Sequence, residues 1–325
     1  MENRHVAQTT HRAMGTVMTH KAFGLYTESS LEVVCMEIAR IEGLLSRFLP
    51  DSDVSRVNAS AGVGSEKVSR ETYDVLSEAV EFSRRFPGCF DVTIAPLVAL
   101  WHTARESLTQ PAASSIRQVL PLVNDRDLIL DPQAMTAKLR NTGQAVDLGG
   151  IGKGFAGDRI REVFKYFGVT SAYSNLGGNV VTVGTKPDGS PWHIGIQHPR
   201  RENALIGAVS VVNQTVVTSG DYQRYYTDRQ GKRRHHILDP RSGYPAESGL
   251  ISVSIVSDNS LTADALSTII FVAGIEKGLE FLRSFSQTEA ILVDTELQVY
   301  ITSGLKGRFQ ADQGVEVTVL QDLCK

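Results

Sequence analysis

Cysteine is scarce in this chain: 325 residues contain only Cys35, Cys89 and Cys324. The number is odd and no pair has C-x-x-C spacing, which argues against a disulfide framework or a thiolate zinc site. Cys35 falls on the apolar stripe of a helical pattern and reads as core. Neither sign of charge is in large excess, with 33 Lys and Arg against 36 Asp and Glu for a formal net charge of -3. Nothing therefore draws the chain to nucleic acid or an anionic membrane, and any anionic ligand has to be held by local groups. Long apolar runs are missing as well. The longest beside a helical pattern is Ile269–Ala273, far short of the roughly 20 residues that span a bilayer, so no transmembrane segment is expected. The first residues mix Glu2, Arg4, His5, Gln8, His11 and Arg12 with short polar side chains, leaving no apolar signal core and no small-residue cleavage site. As the sequence stands it predicts a cytoplasmic protein, or an exported one if the chain has been trimmed.

What is present is the composition of a folded globular chain, 42% hydrophobic and 21% charged. Leu31, Val34, Cys35, Ile38, Ile41, Leu44 and Phe48 recur at three- and four-residue steps and predict an amphipathic helix. Further helices are predicted from Tyr73 to Phe86, over Ile160–Phe167, and over Ile275–Phe285. The stretches Trp192–Ile196, Gly207–Val212, Leu250–Val256, Gln298–Ile301 and Val315–Leu320 are rich in Val and Ile and bounded by turn residues, which predicts strands. No repeat or linker divides the chain, and residues 106–115 are the best candidate for a flexible excursion. The expectation is a single α+β unit over 1–325, with mixed, largely antiparallel sheets, packed helices and two lobes around a cleft.

Gly152-x-Gly154-x-x-Gly157 matches the dinucleotide fingerprint after a strand-like Ala145–Leu148. It lies mid-chain, however, without a following βαβ pattern, and Asn175 stands where the acidic residue belongs. It is also not a P-loop, since Gly154 follows Lys153. Two readings remain: glycines that let backbone approach a phosphate, or a tight strand-to-helix turn. Asp264 and Thr268 are i and i+4 on a predicted helix, so their oxygens can converge on a hard cation. The plainer alternative has Thr262 capping that helix and Asp264 complementing its dipole. In Arg233–Gly243, Asp239 precedes Pro240 and is biased to extended geometry. A histidine there can act as general base near an anionic substrate, or the segment is only a turn. Ser219-Gly220-Asp221-Tyr222 is another polar turn, and Asp221 and Asp239 are the next candidates for a base.

Eight segments in register resemble the ApbE family of FAD:protein FMN transferases. They are Arg12–Thr16, Ser46–Ser52, Phe90–Leu97, Val146–Gly154, Asn175–Asn179, Ser219–Tyr222, His236–Gly243 and Ala263–Thr268, together spanning about residues 12–275. The resemblance implies an ApbE-like fold with FAD bound as substrate in the cleft and Mg2+ at its pyrophosphate. It implies metal ligation by the Gly150 carbonyl and the side chains of Asp264 and Thr268. It also implies flavin contacts from Met14, Phe48, Cys89, Phe90, Asp91, Asp147, Lys153, Leu238 and Asp239. His236 would be the catalytic base for attack of an acceptor threonine on the FMN phosphorus, with AMP released. The implied acceptors are redox proteins such as subunits of the sodium-pumping NADH:quinone reductase and related flavin-carrying reductases. Many relatives are exported lipoproteins, whereas no cysteine precedes Cys35 here. Two departures stand out: Phe48 where many members carry Tyr, which keeps a stacking ring without its hydroxyl, and Ser267 where some carry a second Asp. An FAD pyrophosphatase and a non-catalytic flavin-binding protein are the alternatives.

Overall fold

Leu250–Ser257 is buried along its whole length, and its sequence Leu-Ile-Ser-Val-Ser-Ile-Val-Ser supplies apolar side chains to both faces of a sheet. A register shift between Leu250 and Ser252 changes which alternate positions face which side. Val253 and Ile255 thus enter the larger core while Ile251 and Val256 enter a second one on the opposite face.

In the computed structural model, which describes residues 5–320, this strand lies inside a nine-stranded sheet. The order is Val6–Ala13, Thr16–Phe23, Ser171–Leu176, Asn179–Gly184, Thr215–Gly220, Leu250–Ser257, Glu289–Asp294, Val299–Thr302 and Val317–Leu320. Every neighbouring pair is antiparallel except the last, where Val299 pairs Val317 in parallel. Glu2, Arg4 and Cys324 lie outside the described residues.

One face of this sheet packs on helices, and Met18, Ile38, Ile160, Phe164 and Phe271 belong to that core. The other face packs on a three-stranded sheet of Trp192–Gln197, Leu205–Val211 and Phe309–Ala311. A third cluster, Leu97, Trp101, Ile116 and Leu238, joins the Ala95–Glu106 and Ala113–Val119 helices to the segment after His236. The expected α+β architecture with largely antiparallel strands is therefore the one observed.

The first helix runs Thr27–Leu45, with Leu31, Val34, Ile38, Ile41 and Leu45 on its buried stripe. It ends three residues before the predicted Phe48, because Ser46 turns extended, and this frees Arg47 and Phe48 from the helix. Cys35 is half-buried rather than core; its Sγ lies 3.3 Å from His11 Nδ1. The expected excursion at 106–115 is shorter and tied down: a helix already starts at Ala113, and Thr109 O accepts from the Tyr226 hydroxyl at 2.6 Å. Among the described residues no helix is long and apolar enough to cross a membrane.

Candidate active site

Two helices set the floor of the site. Gly152–Tyr166 and Ser260–Ala273 pack so closely that a Cβ at Gly154 would lie 2.4 Å from the Ser260 carbonyl oxygen and 2.7 Å from Asp264 Cβ. A Cβ at Gly157 would meet Ser260 Oγ at 2.5 Å. These glycines therefore serve a close helix–helix approach. Each helix then caps the other. Gly154 N–H, in the first turn of its helix, donates to Asp264 Oδ2 at 2.7 Å. In return, Asp158 Oδ1 and Oδ2 accept from Ser260 N and Leu261 N at 2.8 and 2.9 Å. The helix carrying Asp264 is N-capped by Asn259, whose side chain accepts from Thr262 N. Thr262 is thus not the cap, and Asp264, lying beyond the first turn, complements the dipole of the neighbouring helix instead of its own.

Asp264 is buried, and burial raises its pKa, opposed by the nearby Lys153 charge and by hydrogen bonds including that from Gly154. Lys153, whose ammonium donates to Asn179 Oδ1 at 3.2 Å, is lowered by burial, with Asp264 opposing and Arg224 adding to the shift. One turn on from Asp264, Thr268 Oγ1 is 3.3 Å from Ser219 Oγ. A Cβ on Gly150 would come within 3.5 Å of the same Thr268 oxygen. Gly150, Asp264 and Thr268 all line one cleft, so a carbonyl, a carboxylate and a hydroxyl are gathered there. Such hard oxygen donors suit Mg2+ better than a soft metal. Among the described residues no three His, Cys, Asp or Glu side chains cluster as a metal site. Ser267 is buried; it donates to the Asp264 carbonyl at 2.8 Å and lies 2.8 Å from Ser219 Oγ, so it braces the helix.

The cleft encloses about 1020 Å³, the upper end of the roughly 300–1,000 Å³ usual for small-molecule sites. Met14, at φ +48° in the turn between the first two strands, anchors its N–H on Glu42 Oε1 at 2.8 Å. Phe48 is 75% exposed and carries the Arg47 guanidinium 4.4 Å from its ring centre. Arg47 is in turn held by Asp147 at 2.7 Å, which presents a preset aromatic surface. Cys89 and Phe90 are buried cleft walls, and burial raises the Cys89 thiol. Asp91, raised by burial, is spent on the fold: it accepts from Thr93 N and Oγ1 and from Asp125 N. Leu238 lines the cleft, but Asp239 is not among its lining residues and pairs with Arg241 at 3.0 Å. Asp221 is likewise engaged, by both Arg200 Nη atoms at 2.6 and 2.7 Å.

The two adjacent histidines part company. His235 Nε2 bonds the Ala246 carbonyl at 3.0 Å and its ring meets Phe271 edge-on. His236 lines the cleft with an exposed ring, and its Nδ1 lies 3.1 Å from the Arg224 carbonyl. A carbonyl only accepts, so Nδ1 carries the proton and Nε2 keeps its lone pair. Enclosure by the cleft walls, then the charge on Arg224, lowers its pKa to about 4, so the ring is neutral at neutral pH. Arg224 is the residue that the sequence reading missed. It lines the cleft, its guanidinium acts on both Lys153 and His236, and its carbonyl sets the histidine tautomer. Only its place two residues after the polar turn Ser219–Tyr222 pointed toward it.

A cleft with hard oxygen donors on one wall, a neutral histidine on another and a preset aromatic at its mouth has the make-up of a group-transfer site. The chain belongs to the ApbE family, whose model matches residues 14–292. An FAD:protein FMN transferase of Klebsiella pneumoniae is 37% identical over 306 residues, 94% of each chain. One from Treponema pallidum is 32% identical, covering 86% of this chain and 81% of the relative. The crystal structure of the ApbE protein of Thermotoga maritima superposes with a TM-score of 0.86 at 30% identity, covering 94% of this chain and 99% of that one. The apo form of the Pseudomonas stutzeri flavinyl transferase ApbE superposes at 0.81, also at 30% identity, covering 95% and 98%.

Proposed function

We propose that this chain, working as one catalytic unit, transfers FMN from FAD to a threonine hydroxyl of an acceptor redox protein and releases AMP. The observation that carries this is the His236 tautomer: an imidazole with its proton fixed on Nδ1 and a free Nε2 inside the cleft that gathers Gly150, Asp264 and Thr268. In the proposed step the threonine Oγ bonds to the FMN phosphorus as its proton passes to His236 Nε2. The bond from that phosphorus to the bridging oxygen breaks, and its electron pair leaves with AMP. Gly150, Asp264 and Thr268 would hold Mg2+, which when bound neutralises charge on the pyrophosphate and on the leaving phosphate. Phe48 stacks on the flavin, and Lys153 and Arg224 place positive charge beside the phosphates. Flavin-carrying proteins such as subunits of a sodium-pumping NADH:quinone reductase are the proposed acceptors.

The test is incubation with FAD, Mg2+ and such a subunit, followed by mass measurement of the subunit and assay of AMP. A mass gain of one FMN less water, with one AMP per FMN attached, is expected. Free FMN and AMP with an unmodified acceptor would instead mean a pyrophosphatase, and no AMP at all a flavin-binding protein without turnover.

A further inference from the structure

Trp192–Gln197 is the outer strand of its three-stranded sheet. It pairs antiparallel with Leu205–Val211 on one side and, among the described residues, with no strand on the other. Ile194, Gly195, Ile196 and Gln197 all line the cleft. Successive side chains of a strand point to opposite faces, so four consecutive residues cannot border one cavity through a single face. The cleft meets this strand along its backbone edge, where alternate residues direct N–H and C=O groups away from their partner strand. An unpaired edge of this kind is a template for another chain.

We propose that this edge is where the acceptor docks: the segment bearing the target threonine adds to Trp192–Gln197 as a further strand, which carries its hydroxyl into the cleft that holds His236. This rests on the transfer reading above. That reading requires a protein nucleophile in the same cleft, and strand addition binds an extended segment through its main chain while leaving alternate side chains to be read. Charge favours an occupant with acidic flanks. Just beyond Gln197, Arg200 and Arg233 both approach the single carboxylate of Asp221, at 2.6 and 3.8 Å. Arg201 is exposed on the turn that follows the strand. Two guanidiniums thus share one carboxylate, which leaves an excess of one positive charge at the end of the edge.

A backbone N-methylation scan tests this with the full chain, FAD and Mg2+. The probe is a synthetic peptide spanning the flavin-accepting threonine of a sodium-pumping NADH:quinone reductase subunit, methylated at one amide at a time. Main-chain pairing predicts a period of two: KM for the peptide rises about tenfold or more at alternate positions and little at those between. A flat profile, or one repeating every three to four residues, overturns the edge while leaving transfer intact. Failure of the unmethylated peptide and of the whole subunit to take FMN overturns both.

Discussion

At the scale of single residues the site depends on which atoms are already engaged. Asp221 and Asp239 are held by arginines and His235 by Ala246 and Phe271, which leaves His236 as the neutral imidazole facing the cleft. His236→Ala is expected to lower the transfer rate by roughly 100- to 10,000-fold, the range for a lost general base, with FAD affinity nearly unchanged by calorimetry. His235→Ala should show its effect in melting temperature instead. Because the His236 pKa is lowered to about 4, the base stays competent down to that value. The acidic limb of kcat/KM should therefore fall near pH 4 and not near 6.5, and it should vanish in the alanine variant. Asp264 separates two roles that the sequence left open, since it both accepts from Gly154 and supplies the one carboxylate among the proposed metal ligands. Asp264→Ala leaves a buried N–H without its acceptor, a cost of roughly 1–3 kcal/mol, and should lose both activity and melting temperature. Asp264→Asn retains an oxygen for Gly154, so its melting temperature should stay close to that of the parent while Mg2+-dependent transfer is lost. Activity in either variant, or in the parent with excess EDTA, would remove the metal from Asp264.

At the scale of elements, the reciprocal capping of Gly152–Tyr166 and Ser260–Ala273 holds the site together, because Lys153 rides on one helix and Asp264 and Thr268 on the other. Gly154→Ala puts a methyl 2.4 Å from the Ser260 carbonyl oxygen. The helices must then separate, and overpacking of this kind costs about 1–3 kcal/mol. A lower urea midpoint and weaker Mg2+ dependence are expected together; a change in neither would mean that the contact is not tight. The same pair shows what could be read from sequence and what could not. Helices over 31–48 and 73–86 were legible because their apolar residues recur on one stripe, and Leu250–Val256 because it is a β-branched run. The glycine pattern was legible as special, but its cause was not: the partner of Gly154 is 110 residues away, and packing at that separation leaves no local periodicity. The first hairpin was invisible, since polar Thr9, His11 and His20 interrupt the face on which Ala7, Ala13, Met18 and Ala22 enter the core. The family motifs marked all the cleft residues named from them except Asp239. Arg224 escaped because what it gives His236 is a main-chain carbonyl, which no side-chain pattern encodes.

At the scale of the whole molecule, that hairpin links the stability of the large sheet to the cleft, because its turn carries Met14 and Gly15 into the lining. Inside it His20 is fully buried, stacked on His11 at 5.1 Å between ring centres, with Nδ1 2.8 Å from Ser174 Oγ. Burial, reinforced by the neighbouring His11, depresses its pKa from 6.5 to about 4. The unfolded chain therefore binds a proton between pH 6.5 and 4 that the folded chain refuses. The folded state's advantage is complete above pH 6.5 and is lost as pH falls through that window. At 1.36 kcal/mol per unit, His20 alone accounts for ~3 kcal/mol, and His236 acts with the same sign. Urea unfolding at pH 7, 6, 5 and 4 should give a free energy that declines with each step. In His20→Gln, compared with its own value at pH 7, the decline should be shallower. If both proteins lose stability in parallel, the acid sensitivity belongs to other groups and the buried ring is not what ties the hairpin to the sheet. If the slopes separate as expected, the acidic limb of catalysis has to be measured under conditions where the sheet is still folded. His20, inside the hairpin whose turn reaches the cleft, and His236, in the cleft itself, are both lowered to about 4.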